Sequence, residues 1–408
     1  MGNGKQDLIT VIDVGSAKTT VVVAEVAEGG LRYRGHGLAE SRGTRKGAIV
    51  DLDKAAASIH HAMDRAELVS GTSIDSAVVT IGGSLIRGVN SRGGINLGNR
   101  PREIGREDVK QCVDRARSIA FPVDREVLHI LPQEYLVDEQ GAIRDPLGMT
   151  GAKLEVSVHI VTAAASSTQS VITAANKAGV QVDDTVFEGL AAAESTLRPG
   201  EREVGVCLLD IGAGSTELIA LFEGSVAHTG VVPIGGDHFT NDIAVGLRTP
   251  LTEAEKIKKT FGHAVVTDLP EANEIEVPSL GDKPSRLVPQ RLLAEIVEPR
   301  ARELFEFVRD SLRQGGVLEA LGAGVVMTGG GSRLPGLSSI CDSVLRCPAR
   351  TAGPGAISKL PASLAEPEYA DAIGALMYTH RVRLARTRPG ENGFAGKIRA
   401  MLKSASMF

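Results

Sequence analysis

Cysteine is scarce. The 408 residues hold four, Cys112, Cys207, Cys341 and Cys347, and none sits at CxxC spacing. A zinc site and a CxxC centre are therefore not expected, and four reduced thiols are. No apolar run reaches the ~18 residues of a membrane-spanning helix. The start, MGNGKQDLITVID, lacks the apolar core of a secretory signal, so none is expected. An excess of charge is missing too. With 45 Lys and Arg against 50 Asp and Glu the formal net charge is −5, which gives no general attraction to nucleic acid, and no such partner is expected. GxxxxGK[ST] is absent, as are GxGxxG between strand and helix and a Gly-x-Ser-x-Gly elbow. The nine histidines form no nucleophile or metal constellation, and His60-His61 reads as surface and packing. Glycine is plentiful, at 47 residues without collagen or low-complexity periodicity. A composition of 42% hydrophobic and 23% charged residues is ordinary for a globular chain. At ~150 residues per domain the length suggests two or three domains.

Along the chain, residues 8–13 (LITVID) read as a buried strand, 14–18 as a turn, 19–26 as a second strand and 31–38 as a third. Val-, Ile- and Thr-rich runs bounded by glycine are the hairpin signal. Residues 53–69 read as a helix. The same arrangement returns half a chain later. A strand over 204–211 (VGVCLLDI) ends at Asp210-Ile211-Gly212-Ala213-Gly214-Ser215-Thr216, and strands over 217–222 and 225–234 follow. Strand, Asp-x-Gly, polar turn and hairpin thus occur at Asp13 and again at Asp210, which indicates a duplicated domain rather than a solenoid. Elsewhere helices are expected over 106–120, 166–178 (capped by Ser166), 252–261, 289–314 with a bend at Pro299, and 369–386. Strands are expected over 127–137, 154–162 and 324–328.

Tight glycine hairpins offer consecutive backbone N–H groups, a nest for phosphate oxygens. Two facing hairpins can clamp a triphosphate. Asp13 and Asp210 at the strand ends would then need a cation between them and the phosphates. Hard oxygen ligands imply Mg2+, reached through waters. An ordinary β-turn is the alternative for either loop taken singly. The loop 328–332 (TGGGS) permits close backbone approach to a ligand, and by itself is equally a plain loop. Thr252-Glu253-Ala254-Glu255 has two readings. One is a capping box, with Thr252 as cap and Glu255 reaching back. In the other, Glu255 and Lys258 share a helical face and hydrogen-bond a ribose.

The two Asp-x-Gly hairpins, the Thr-Gly-Gly-Gly loop and the Glu-x-x-Lys helix together resemble the ATPase core shared by actin, the DnaK-type chaperones and sugar kinases. Within that superfamily the chain most resembles the bacterial cell-division FtsA family, over nearly its whole length. The most specific segments are Asn90-Ser91-Arg92-Gly93, Ile130-Leu131-Pro132-Gln133-Glu134-Tyr135, Ile143-Arg144-Asp145-Pro146 and Gly148-Met149-Thr150-Gly151. They look like the small domain that this family inserts into its first lobe. Gly235-Gly236-Asp237 and Thr240-Asn241-Asp242-Ile243-Ala244 also resemble it.

The resemblance implies an α/β, actin-like, two-lobed ATPase with duplicated core domains, a small inserted α+β subdomain and a C-terminal amphipathic helix. Residues 1–82 and 164–200, with helix 366–386, would form the first-lobe core, and 83–163 the inserted subdomain. Residues 201–234 and 321–365 would form the second-lobe core, 235–320 its smaller subdomain and 387–393 a linker. Asp13, Gly15, Ser16 and Lys18 would make the first phosphate loop. Asp210, Gly212, Gly214, Ser215 and Thr216 would make the second, with Asp210 and Asp13 near Mg2+. Gly329, Gly330 and Ser332 would border the adenosine, and Glu255 and Lys258 the ribose. Glu188 would position the attacking water. Two positions depart from the family pattern: Gly189, where proline is usual, and Ala213, where glycine is common. The first bears on hydrolysis, and at most slow ATPase activity is expected.

The tail, 394–408 (FAGKIRAMLKSASMF), places Phe394, Ile398, Met401, Leu402, Ala405 and Phe408 on one helical stripe flanked by Lys397, Arg399 and Lys403. It reads as a membrane-surface helix or as a terminal helix docked on the chain's own core. The Arg-Pro-Gly-Glu-Asn-Gly linker argues against docking, and the family resemblance agrees with a membrane helix. Burial of ~1.5–3 kcal/mol per large side chain at most, less ordering cost, plus about 1 kcal/mol per basic residue, gives a weak, reversible anchor.

The reading is an ATP-binding protein that polymerises and tethers FtsZ filaments to the cytoplasmic face of the membrane at the bacterial division septum. The resemblance implies the FtsZ C-terminal peptide as partner in subdomain 235–320, where Arg286, Arg291 and Arg300 could face an acidic peptide. It also implies self-assembly, other division proteins at the inserted subdomain and lipid at the tail. The alternatives are a PilM-like adaptor of pilus machinery, which would not need the terminal helix, and a soluble sugar-kinase-class phosphotransferase, whose signatures are missing.

Overall fold

The computed structural model describes residues 7–45, 47–281, 284–355 and 357–386. Two five-stranded sheets organise it. In the first, Gly30–Glu40, Lys18–Ala27, Leu8–Val14, Ser76–Ile81 and Gln181–Phe187 lie side by side in that order. In the second the order is Ser225–Val232, Thr216–Phe222, Val206–Ile211, Val325–Thr328 and Ala349–Thr351. Each sheet opens with three antiparallel strands, and its last two run parallel to the third. The sheets are copies in topology, and the two Asp-x-Gly turns are equivalent points in them. Val206–Ile211 is buried at every residue, so it reads as an unbroken apolar run rather than an alternating one.

Between the sheets lie the helices Glu188–Thr196 and Ala370–Arg386, packed on each other. Small residues make that contact: a Cβ on Gly374 would run into the carbonyl of Ala191. Helix Leu52–Ser70 covers the outer face of the first sheet. Asp51 caps it by accepting from Lys54 N–H at 3.1 Å, and Gly71, at φ 69°, ends it. Helices Gln290–Gln314 and Leu337–Leu345 pack beside the second sheet.

A third core belongs to the segment between Ile81 and helix Ala165–Lys177. There four strands, Gln140–Ile143, Arg125–Val137, Lys153–Ala164 and Arg87–Asn96, pair in that order, and helix Arg106–Arg117 packs on the sheet. This inserted domain rests on the outer strand of the second sheet. Gln133 Nε2 donates to Val226 O at 2.8 Å, and Ser225 Oγ donates to Gln133 O at 3.0 Å.

Two local readings are corrected. Helix Ala165–Lys177 starts straight off the preceding strand with Ala164 at its N-cap, so Ser166 caps nothing. Helix Leu251–Phe261 has Pro250 at its N-cap, so Thr252 and Glu255 form no capping box. Helix Gln290–Gln314 continues through Pro299. The linker and the stripe residues Phe394, Ile398, Met401, Leu402 and Phe408, with Lys397, Arg399 and Lys403, lie outside the described residues.

Candidate functional site

Asp13 ends the central strand of the first sheet and Asp210 that of the second. The parallel strand beside each supplies the next wall. Thr80 Oγ1 donates to Asp13 Oδ1 at 2.8 Å. Gly329, at φ 79°, follows Thr328 beside Asp210, and a Cβ there would overlap Asp210 Oδ1. Three more carboxylates join them. Glu188 opens the central helix, with Oε1 3.5 Å from Thr80 Oγ1. Glu217 projects from the second sheet and is 2% exposed. Asp371, in the first turn of Ala370–Arg386, hydrogen-bonds Asp210, and its Oδ1 is buried without a hydrogen-bond partner.

Five carboxylates in so small a volume repel one another. Burial raises Asp13, against the pull of Thr80 and Lys18. Burial pushes Asp210 up to about 6, and burial with the Asp210 charge pushes Glu217 up to about 8. Glu188 and Asp371 stand well above the carboxylate range for the same two reasons, burial first and neighbouring acids second. The nearby cation is Lys18, pulled down to about 8 by burial, with its Nζ 3.5 Å from the centroid of the Tyr369 ring. Such a cleft favours a bound cation. Its all-oxygen donor set suits a hard one. Among the described residues no three His, Cys, Asp or Glu converge closely enough to hold a metal by themselves.

The loops have their own supports. Ser16 Oγ accepts from Gly47 N–H at 2.8 Å, and Gly47 lies against Gly83 and near Ser215 of the opposite loop. In the second loop Gly212 N–H donates to Ser215 O at 3.0 Å, while Gly212 O and Ala213 O accept from Gly236 and Asp237 at 2.9 and 2.8 Å. Thr216 Oγ1 donates to Ile234 O at 2.7 Å. Gly15 and Gly214 sit within these turns. Lys258 Nζ donates to Gly236 O at 2.8 Å and pairs with Glu255 at 2.6 Å, so both lie behind the second loop. Although burial opposes it, Lys258, Thr240 and Lys259 hold Glu255 down to about 2. Ser332 is buried and donates to Gly329 O at 2.7 Å, closing the turn through Gly330.

The arginines of 235–320 are engaged within the chain. Arg300 makes a two-point pair with Asp242, at 2.6 and 3.1 Å, and also meets Glu303. Arg286 donates to Leu247 O, and Arg291 pairs with Glu271 at 2.9 Å. Sequence reasoning missed Thr80, Glu217, Asp371, Tyr369 and Gly47. A glutamate inside the apolar run TELIALF was the one clear signal among them.

Residues 207–374 match the family model for cell division protein FtsA, and residues 83–162 match that for the SHS2 domain inserted in FTSA. The cell division protein FtsA of Pseudomonas aeruginosa is 40% identical over 372 residues, covering 91% of this chain and 89% of that one. The chain belongs to the FtsA family. Its setting is therefore bacterial cell division. Among solved structures, a PilM-PilN type IV pilus biogenesis complex matches with TM-score 0.62 at 18% identity, covering 90% of this chain and 97% of its own. MreB 5 of Spiroplasma citri bound to AMPPNP matches with TM-score 0.54 at 13% identity, covering 93% and 98%. At these identities the likeness is one of fold, and the fold of this FtsA-family chain is actin-like with an SHS2 domain in its first lobe. Among the described residues no helix is long and apolar enough to cross a membrane.

Proposed function

We propose that this chain binds Mg-ATP between its lobes, polymerises, and tethers FtsZ filaments to the cytoplasmic face of the membrane at the division septum. The observation that carries the reading is the meeting of Asp13 and Asp210, equivalent strand ends of two duplicated sheets, in one buried carboxylate cleft beside Lys18. An acidic cleft cannot accept a polyphosphate without a cation. Mg2+ would supply that charge, reached from Asp210 and Asp13 through waters. Backbone and hydroxyl groups of Gly15, Ser16, Gly212, Gly214, Ser215 and Thr216 would hold phosphates, with Lys18 leaving Tyr369 to join them. Gly329, Gly330 and Ser332 would border the adenosine, and Glu255 and Lys258 the ribose edge behind the second loop.

Turnover would be slow. Burial first and the neighbouring acids second raise Glu188 well above the ordinary carboxylate range in the nucleotide-free cleft, which favours a carboxyl that orients water over a free carboxylate that removes its proton. Residues 235–320 would receive the FtsZ peptide. Arg291 is the readiest of the three arginines, because its partner Glu271 is exposed, whereas Arg300 would first have to leave Asp242. The inserted domain, 83–163, would face other division proteins, and 394–408 would bind lipid. The test is reconstitution: the intact chain with Mg-ATP should recruit fluorescent FtsZ filaments to anionic vesicles. Filaments lacking the FtsZ C-terminal peptide should stay in solution. Equal recruitment of both would contradict the tether.

A further inference from the structure

Glu217 belongs to the second lobe by its backbone and to the first lobe by its hydrogen bonds. It stands on Thr216–Phe222, one residue beyond the second loop, buried between Thr216 and Leu218. Its Oε1 accepts from Gly83 N–H at 2.6 Å and its Oε2 from Gly189 N–H at 3.1 Å. Gly83 is where the chain leaves the strand Ser76–Ile81 for the inserted domain, and Gly189 is the second residue of the central helix. The local sequence is shaped for this contact. A Cβ on Gly82 would collide with Glu188 Oε2 and Glu217 Oε1. Gly83 sits at φ 89°, where a side chain is strained in any case. Gly189 donates from a helix N-terminus, where an N–H has no partner within its own helix.

We propose that Glu217 is a positioning residue that clasps the two lobes, so that displacement of the second loop is carried to the root of the inserted domain and to the helix that begins with Glu188. Thr216, the last residue of the second loop, is held to Ile234 O and is bonded directly to Glu217, so a shift of Thr216 is passed to Glu217. Opening the cleft breaks both acceptor bonds together, since one carboxylate makes them. The clasp stands on the hydrogen bonds alone. Its use in relaying ligand binding rests on the nucleotide reading above.

Hydrogen–deuterium exchange of the intact, nucleotide-free chain tests the clasp. Glu217→Gln keeps the shape but turns one acceptor into a donor facing an N–H. Exchange over 82–87 and 188–192 should rise about tenfold or more, the effect of leaving one buried N–H without its acceptor, while Val325–Thr328 stays protected. Unchanged exchange in both segments would overturn the clasp. Gly189→Ala and Gly189→Pro both add a Cβ against the Phe187 ring, but only proline removes the N–H. Proline should loosen 82–87, across the clasp, and alanine should not. An equal effect of the two would also overturn it, assigning the change to crowding. With Mg-ATP, wild type should gain protection over 82–87 and Glu217→Gln should bind without that gain. The same gain in both would overturn the relay. Failure of wild type to bind ATP would remove the nucleotide reading and the relay with it, leaving the nucleotide-free comparison to judge the clasp.

Discussion

His159 Nε2 of the inserted domain lies 2.9 Å from Thr229 Oγ1 of the second lobe, while its Nδ1 lies 2.6 Å from Asn90 Oδ1. Burial, with a smaller push from His228, pulls His159 down to about 3. Its folded pKa is thus below the unfolded value, so the unfolded chain takes the proton first. This contact contributes fully above about pH 6.5 and is lost as pH falls toward 3. The melting temperature of wild type should drop on acidification from pH 7 to 5 by several degrees more than that of His159→Gln, which cannot titrate. Parallel curves would contradict this.

Burial first, and the acids Asp210, Asp13, Glu188 and Glu217 second, raise Asp371 well above the ordinary carboxylate range, so ionising it in the folded cleft is costly. Asp371→Asn should raise the melting temperature of the nucleotide-free protein in EDTA. The gain should shrink when Mg2+ is added, if a cation relieves the same repulsion. Calorimetry in the two buffers checks it. A destabilised variant would mean that the carboxylate is needed for its contact with Asp210.

Gly374→Ala should destabilise the fold, because its Cβ has no room beside the Ala191 carbonyl. The expected loss is ~1–3 kcal/mol, read from urea unfolding. No change would mean that the two central helices separate freely.

For the tail, Phe394→Glu with Leu402→Glu should abolish flotation on liposomes and leave nucleotide binding intact. Neutralising Lys397, Arg399 and Lys403 should weaken flotation mainly on anionic lipid and at low salt. If the glutamate double variant floats like wild type, the tail is not the anchor. If it fails to fold, the tail packs on its own core.

The duplicated hairpins were legible because strand, Asp-x-Gly and strand are local patterns, and Asp13 and Asp210 follow from them. The topology that makes them equivalent needed the parallel strands, whose pairing is long-range. Thr80 was not legible: a threonine in SAVVTI is an ordinary strand residue until its hydroxyl meets Asp13. Asp371 reads as a helix first-turn acid, a common surface feature, and only tertiary packing carries it into the cleft. Two caps failed because a strand feeds one helix directly through Ala164 and Pro250 leads the other, so Ser166 and Thr252 had no open N-terminus to serve. Gly189 looked in sequence like a lapse from the family's proline. In the fold it supplies an N–H that proline lacks, and Glu217 accepts it.

Isothermal titration of the intact protein with ATP, in Mg2+ and in EDTA, tests the central claim most directly. The account predicts saturable one-site binding in Mg2+, much weaker binding in EDTA, and a loss of about tenfold or more (~1.4 kcal/mol) in Asp210→Ala. A cooperatively folded wild-type protein that shows no ATP binding in Mg2+ would contradict it.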